Sequence, residues 1–406
     1  MNKLYEENDI QNIANAIRGK NGSTDTYKVS EMASAINDIP SGGNLEDFIP
    51  EEAFHFTGNC QNIFAYDVWD WFLKKYGDKI ATSDITSAIS MFLESSIKEL
   101  PFDLNFADGG CTSRHIFNSC KQLESVRPID FKQTSPFDVT DMFNACEKLK
   151  EIGKLSNLYP TSTSRWFRNC YYLRHLPEFE NLNLSYVQAN NTNCSYMVSY
   201  NCSLRKISED LLKQIYGVQT SPSYTIFNYG FTACYVLDEI IGMNPKTGTL
   251  TSNAFTYTFN AVSRAKDVIF ATQENGVPYS ANWKSQTIDL SVLTGYSNSI
   301  ATIVSDYNSG ITVDKRVTDD SSYQALKNDP DWFTTDINYS RYNHDSAVKT
   351  INSLPDTSAY LASNGGTNTI KFKGASGALT DGGAINTLTD AEIAVATAKG
   401  WTVAFV

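Results

Sequence analysis

Phe117-Asn118-Ser119-Cys120-Lys121-Gln122-Leu123-Glu124-Ser125-Val126 decides how the rest of the chain is read. The same order of residue types returns at Phe143, Cys146, Leu149 and Ile152, at Phe167, Cys170, Leu173 and Leu176, and at Phe231, Cys234, Leu237 and Ile240. The shared pattern is F-x-x-C-x-x-L-x-x-[ILV], four times without a gap. Three looser copies flank it. Met91-Phe92 leads to Ile97 and Leu100, one residue short, with Ser95 near the cysteine position. Met197-Val198 leads through Cys202 to Leu204 and Ile207 with slipped spacing, and Phe259-Asn260 leads to Ala265 and Val268 with Val262 in the cysteine place. Phe92, Phe117, Phe143 and Phe167 are 25, 26 and 24 residues apart, and the later, longer intervals imply loop insertions. Self-similarity at such a period is the signature of a repeat architecture.

Each copy has a physical reading. Thr112, Ser113, Thr140, Asp141, Ser162 and Ser164 precede the aromatic residue and read as N-caps of a short helical turn that carries the Phe inward. Cys and Leu fill buried positions, since a free Cys behaves as a small hydrophobe. The closing L-x-x-[ILV] reads as a short strand. One such unit cannot bury its apolar side alone, whereas stacked neighbours can, with a parallel sheet along the stack. Cysteines spaced one per copy form a ladder and do not converge as zinc ligands do. They read as reduced core residues, with Cys60, Cys111 and Cys194 off the ladder.

The chain has 406 residues, 41% hydrophobic and 19% charged, which excludes wholesale disorder and suits two to three domains. Its net charge is -12 and no run of Lys or Arg exceeds two, which argues against a duplex nucleic-acid partner and against binding to anionic membranes. No stretch approaches the roughly 18 apolar residues of a membrane-crossing helix, so no membrane insertion is expected. Met1 to Asp9 is polar and acidic, unlike a secretory leader. Eight cysteines in so long a chain do not read as a disulfide framework.

Catalytic patterns are missing from the sequence. The four histidines, His55, His115, His175 and His344, form no H-E-x-x-H, and there is no G-x-S-x-G, Walker A, G-x-G-x-x-G or EF-hand pattern. Asp319-Asp320 and Asp329 with Asp331 read as acidic loops. The expectation is a non-enzyme with no catalytic residue, cofactor or metal site.

Residues 1–43 read as two amphipathic helices. Ile10, Ile13, Ala14 and Ile17 follow helical spacing, and so do Val29, Met32, Ala33 and Ile36. So short a segment cannot bury its own stripe, which makes Ile10, Ile13, Ile17, Val29, Met32 and Ile36 a docking or oligomerisation face. Residues 44–84 hold Phe54, Phe56, Phe64, Tyr66, Trp69, Trp71, Phe72 and Tyr76 and read as a cap on the first repeat, with an aromatic sugar platform as the other reading. Residues 85–270 carry the repeats. Residues 271–406 combine an irregular insertion with variant repeats: Thr389-Asp-Ala-Glu392 is a capping box that opens a helix to Lys399-Gly400, and Trp401 to Val406 reads as a strand. Val348, Ile351 and Leu354, then Thr369 to Phe372, give an earlier helix and strand.

The F-x-x-C-x-x-L copies resemble the BspA-like type of leucine-rich repeat, found in bacterial surface proteins and some phage proteins. The stretch Ile13-Ala-Asn-Ala-Ile-Arg-Gly-Lys-Asn-Gly22, Thr24-Asp25 and Met32-Ala-Ser-Ala-Ile36 resembles an N-terminal module of phage tail fibres and tail-associated proteins, although it also fits a generic helical hairpin. Leu388 to Phe405 resembles the close of repeat-bearing phage and gut-bacterial proteins. These resemblances imply an α/β leucine-rich-repeat solenoid with short parallel strands, preceded by a small helical hairpin. They imply a virion tail protein that attaches by its N-terminus to other tail proteins, forms a homo-oligomer such as a trimer, and presents the repeats to a host-surface glycan or protein. A bacterial surface adhesin and a polysaccharide depolymerase remain alternatives. The residue after the repeat cysteine is Lys121, Glu147, Tyr171 or Tyr235, which reads as exposed and makes Tyr171, Tyr172 and Tyr235 candidate receptor contacts.

Overall fold

Around each repeat Phe, the backbone hydrogen bonds run in two directions. Within a copy they close short turns: Ile116 N–H donates to Ser113 O, Asn118 to His115 O and Cys120 to Phe117 O. Between copies, alternate N–H groups reach the next segment: His115 to Thr140 O, Phe117 to Met142 O and Ser119 to Asn144 O, at 2.8–3.0 Å. This alternation needs left-handed residues two before and two after the Phe. They are His115 (φ 60°) and Ser119 (62°), Asp141 (58°) and Ala145 (60°), and Arg165 (54°) and Asn169 (60°). The capped helical turn expected here is therefore replaced by a turn with two left-handed residues, because its N–H groups bond to the neighbouring copy and not along a helix. The polar residues make local turns instead, with Thr140 N–H on Asp138 Oδ1 and Ser164 N–H on Ser162 Oγ.

The computed structural model describes residues 11–16, 18, 49, 52–190, 195–201, 203–209, 211–212, 229–234, 237–243, 249–250, 254–255, 257–259, 265, 267–270, 280–294, 342–373 and 388–406. Ile10, Ile17, Val29, Met32, Ile36 and Tyr235 lie outside these residues, as do Cys194 and Cys202. Residues 11–16 are helical, with Ile13 half-buried and Ala14 buried.

The first strands precede the region read as repeats. Strand β1 (Phe54–Asn59) pairs in parallel with β2 (Ile80–Ser87), with helix α1 (Asp70–Tyr76) between them. The segment between β1 and α1 already has the repeat geometry: Phe64 N–H donates to Met91 O, flanked by left-handed Asn62 and Tyr66. The stretch read as a cap thus contains a further copy centred on Phe64, and Cys60 sits four residues before that Phe, where Ala88 stands before Phe92. Covering falls to α1, which buries Phe72 and Leu73.

Past β2 the copies are joined by two parallel ladders. One pairs β3 (Leu104–Asn105) with β5 (Ile129–Asp130), then β7 (Leu155–Ser156) and β8 (Phe179–Glu180). The other pairs β4 (Ser125–Val126) with β6 (Glu151–Ile152). A bridge from Glu99 to Ser125 extends it, and at the corresponding place of later copies bridges run from His175 through Lys206 to Glu239, reaching β9 (Glu239–Met243) and its partner β11 (Asp267–Phe270). The short strands of the sequence pattern belong to this second ladder, and the first ladder is additional to them.

The core beneath is a column of rings. Phe64, Phe92, Phe117, Phe143 and Phe167 stack with centroids 5.3, 5.0, 5.3 and 5.7 Å apart. Phe117, Cys120, Leu123, Phe143, Cys146, Leu149, Phe167, Cys170, Leu173, Phe231, Cys234, Leu237 and Ile240 are all 0% exposed and Val126 is 4% exposed, while Ile152 and Leu176 are half-buried. Each repeat cysteine reaches into the previous copy: Cys120 Sγ donates to Phe92 O, Cys146 to Phe117 O, Cys170 to Phe143 O and Cys234 to Val198 O, at 2.8–3.1 Å. A thiol there fills volume like a small hydrophobe and also ties adjacent copies together. The last bond corrects one copy: Val198 holds the Phe place, Asn201 the cysteine place, and Leu204 and Ile207 keep ordinary spacing. Buried Asn201 compensates by accepting from Cys170 N–H at 2.9 Å through its Oδ1.

Burial raises the thiol of Cys234 to about 12, with a backbone hydrogen bond from Asn201 opposing it, and lifts Cys146 well above its usual value. A thiol reagent at pH 8 therefore labels Cys120, Cys146, Cys170 and Cys234 only after denaturant is added. Rapid labelling of the native protein would place these thiols outside the core.

The C-terminal part closes the second ladder. Strands β10 (Thr249–Leu250) and β12 (Asn282–Trp283) pair in parallel, and β13 (Thr287–Asp289) starts a three-stranded parallel sheet. Helices α2 (His344–Ser353) and α3 (Ser358–Asn364) lead to β14 (Asn368–Phe372), and α4 (Asp390–Ala398) leads to β15 (Trp401–Phe405). Ile288, Ile370 and Val403 stand in register across β13, β14 and β15. The capping box forms, with Thr389 N–H on Glu392 Oε2 at 2.7 Å and Glu392 N–H on Thr389 Oγ1 at 3.3 Å. Helix α2 lies against β11: Thr350 Oγ1 donates to Val268 O, Phe270 N–H donates to Ser353 Oγ, and Lys349 pairs with Asp267 at 3.0 Å. That contact shields the last strand edge. Helix α3 and the strand pieces near Trp283 fall where the sequence suggested only one helix and an irregular insertion.

Candidate functional site

The left-handed residue two before the repeat Phe is held by its backbone, as His115 and Asp141 are through N–H bonds to the next copy and C=O bonds within their own, so the turn admits several side-chain types there. Along the chain this place is taken by Asn62, Ser90, His115, Asp141, Arg165, Tyr196, Tyr229 and Tyr257. Stacking of the copies brings these residues into one column. Its first half is ionic. The buried carboxylate of Asp141 lies 3.3 Å from His115 Nε2 and takes two bonds from Arg165, at 2.6 and 2.7 Å. Burial raises the Asp141 carboxyl, but the bonds from His115 and Arg165 outweigh that and hold it below the usual value.

The second half is aromatic. Tyr196 and Tyr229 stack with centroids 4.7 Å apart and planes within 10°, and Tyr257 follows 4.8 Å from Tyr229. That interval is the spacing of neighbouring strands, about 4.7–4.9 Å, because each ring belongs to the next copy. Tyr196 and Tyr229 are half-buried, whereas Tyr257 is 55% exposed at the open end. At the other end, the Arg168 guanidinium lies 5.0 Å from the Tyr196 ring centre and 5.9 Å from that of Tyr200. Partial burial first, and then Tyr196, Tyr257 and Tyr200, push the Tyr229 hydroxyl above its usual pKa, which keeps it neutral. The result is a row of ring edges and hydroxyls with a cation at one end, suited to holding a polyol or a protein surface by edge contacts and hydrogen bonds.

The contacts suggested by the sequence lie elsewhere. Tyr171 and Tyr172 are half-buried, and Tyr171 O accepts from Ser203 N–H at 3.2 Å. Neither belongs to the tyrosine column, and Tyr235 lies outside the described residues. The signal for the actual column was present as Tyr196-Met-Val198, Tyr229-Gly-Phe231 and Tyr257-Thr-Phe259, with Tyr two before the Phe position each time. Aligning the sixth copy on Met197 and Cys202 concealed it.

A cavity of about 910 Å³ opens against the second ladder, lined by His175, Leu176, Phe179, Lys206, Ile207 and Glu239 among others. Its Lys206 and Glu239 are 4.0 Å apart. Among the described residues, no cluster of three or more His, Cys, Asp or Glu side chains is placed to hold a metal ion, and no helix is long and apolar enough to cross a membrane. No family model matches the chain, and neither a curated protein nor a solved structure matches it.

Proposed function

We propose that the chain is a BspA-like leucine-rich-repeat solenoid of a bacteriophage tail, without catalytic activity, that binds a host-surface receptor through its tyrosine column. The stack of Tyr196, Tyr229 and Tyr257 ending on Arg168 carries this reading. Aromatic residues and arginine dominate binding energy at recognition surfaces, and these rings already have fixed places before any ligand arrives. The ladder hydrogen bonds support the repeat class, and the N-terminal resemblance supports the virion. In this reading residues 1–43 join the chain to other tail proteins or to further copies of itself. The receptor is a glycan or a protein of the host envelope.

Tyr229→Ala combined with Tyr257→Ala should weaken adsorption to receptor-bearing cells about tenfold or more. Tyr257→Ala alone should weaken adsorption in the same direction with little change in melting temperature, since Tyr257 is largely exposed, which separates binding from any loss of stability at half-buried Tyr229. Adsorption of purified wild-type and variant chains across a panel of bacterial cells checks this. Equal adsorption by both would remove the column from receptor binding.

A further inference from the structure

We propose that Arg168 is an anion-recognition point and that the column's ligand is an acidic glycan, with a carboxylate or phosphate seated at Arg168 and its sugar rings along Tyr196, Tyr229 and Tyr257. The inference rests on the reading of this column as a receptor surface. Its starting point is a difference among the repeat arginines. Arg114 pairs with Asp138, Arg127 with Asp103, and Arg165 with Asp141. Arg168 has no carboxylate partner among the described residues, and its Nε is buried with no hydrogen-bond partner. A guanidinium carries five donors in a planar fork and binds an oxyanion through two parallel bonds. Here the Tyr196 and Tyr200 rings lie 5.0 and 5.9 Å from the guanidinium and restrict it, so little ordering is left for the ligand to impose.

Charge and geometry select the class of anion. The chain carries a net charge of -12, so a polyanion held mainly by phosphate neutralisation is disfavoured. Single-stranded nucleic acid stacks its bases on open ring faces. In this column the faces of Tyr196 and Tyr229 are turned toward each other, at 4.7 Å, which leaves ring edges as the accessible part of these half-buried side chains. Such edges suit a hydroxyl-rich chain, and one localised cation suits a single anionic substituent on it.

Titration of the full chain with oligogalacturonate, poly(glycerol phosphate), maltohexaose and an oligothymidylate tests the proposal. One acidic glycan should bind about tenfold tighter than maltohexaose, as expected for charge-assisted hydrogen bonds. The uronate and phosphate arms show which oxyanion is preferred. Arg168→Gln should bring the affinity for the acidic glycan down to that for maltohexaose with a native melting curve, and Arg168→Lys should restore only part of the preference, having no fork. Equal affinity for acidic and neutral glycans, an unchanged preference in Arg168→Gln, stronger binding of oligothymidylate, or no binding of any probe each overturns the anion site. The receptor reading is judged separately by cell adsorption of the Tyr229 and Tyr257 variant.

Discussion

Phe143→Ala lowers the unfolding free energy by about 3–5 kcal/mol, the range for removing a fully buried aromatic side chain. Phe143 lies in the ring column with Phe117 at 5.3 Å and Phe167 at 5.7 Å, both nearly parallel to it. Its carbonyl also accepts the Cys170 thiol, so a backbone shift after truncation disturbs the next copy. Collapse around the cavity is restricted, because the backbone on each side is bonded to neighbouring copies. Urea titration monitored by circular dichroism measures the loss. Tyr257→Ala, at a similar aromatic residue on the surface, should stay within about 0.5 kcal/mol. A loss below 1 kcal/mol for Phe143→Ala would mean that the ring column is not what holds the copies together.

Asp141→Asn is expected to cost about 1.5–3 kcal/mol at neutral pH, the range for hydrogen bonds to a charged group. Asparagine keeps the shape and tolerates the left-handed backbone at φ 58°, so the substitution isolates the charge. It leaves Arg165 and His115 without their shared carboxylate. The sign with pH follows from the lowered folded-state pKa of Asp141. Its contribution is complete above the ordinary aspartate value of 3.8 and is lost as the pH falls through the lower folded value. The stability gap between wild type and Asp141→Asn should therefore close in acid. A gap that stays constant down to pH 2 would show that the carboxylate charge is not the source of the effect.

The periodic residues were legible in the sequence because Phe, Cys and Leu recur at places whose burial depends on their own copy and its neighbours. The helix at Thr389 was legible because its signal is local, two side chains bonding backbone three residues away. The left-handed turns were not. Ser113, Thr140 and Asp141 have the composition of helix caps, and only the partner N–H and C=O groups of another copy, some two dozen residues along, decide against a helix. The Val198 copy was misread for a related reason. Asn201 replaces cysteine there by satisfying a backbone group of the previous copy, which no single segment reveals. The functional column stayed hidden because it is made by stacking: each segment contributes one tyrosine, and no local pattern marks it as part of a row.

The turns also separate two kinds of sequence freedom. Phe, Cys and Leu are fixed by the interior, whereas the residue two before the Phe must tolerate a positive φ and match its neighbours in the column, as Asp141 matches His115 and Arg165. Histidine, aspartate, arginine and tyrosine all occupy that place in successive copies. Each copy therefore contributes one variable letter to an unchanging line, buried at Ser90 and Asp141 and exposed at Tyr257, at the interval set by the backbone. A new specificity can be spelled by point substitutions along that line, and a longer ligand can be accommodated by inserting whole copies, in both cases without redesigning the interior.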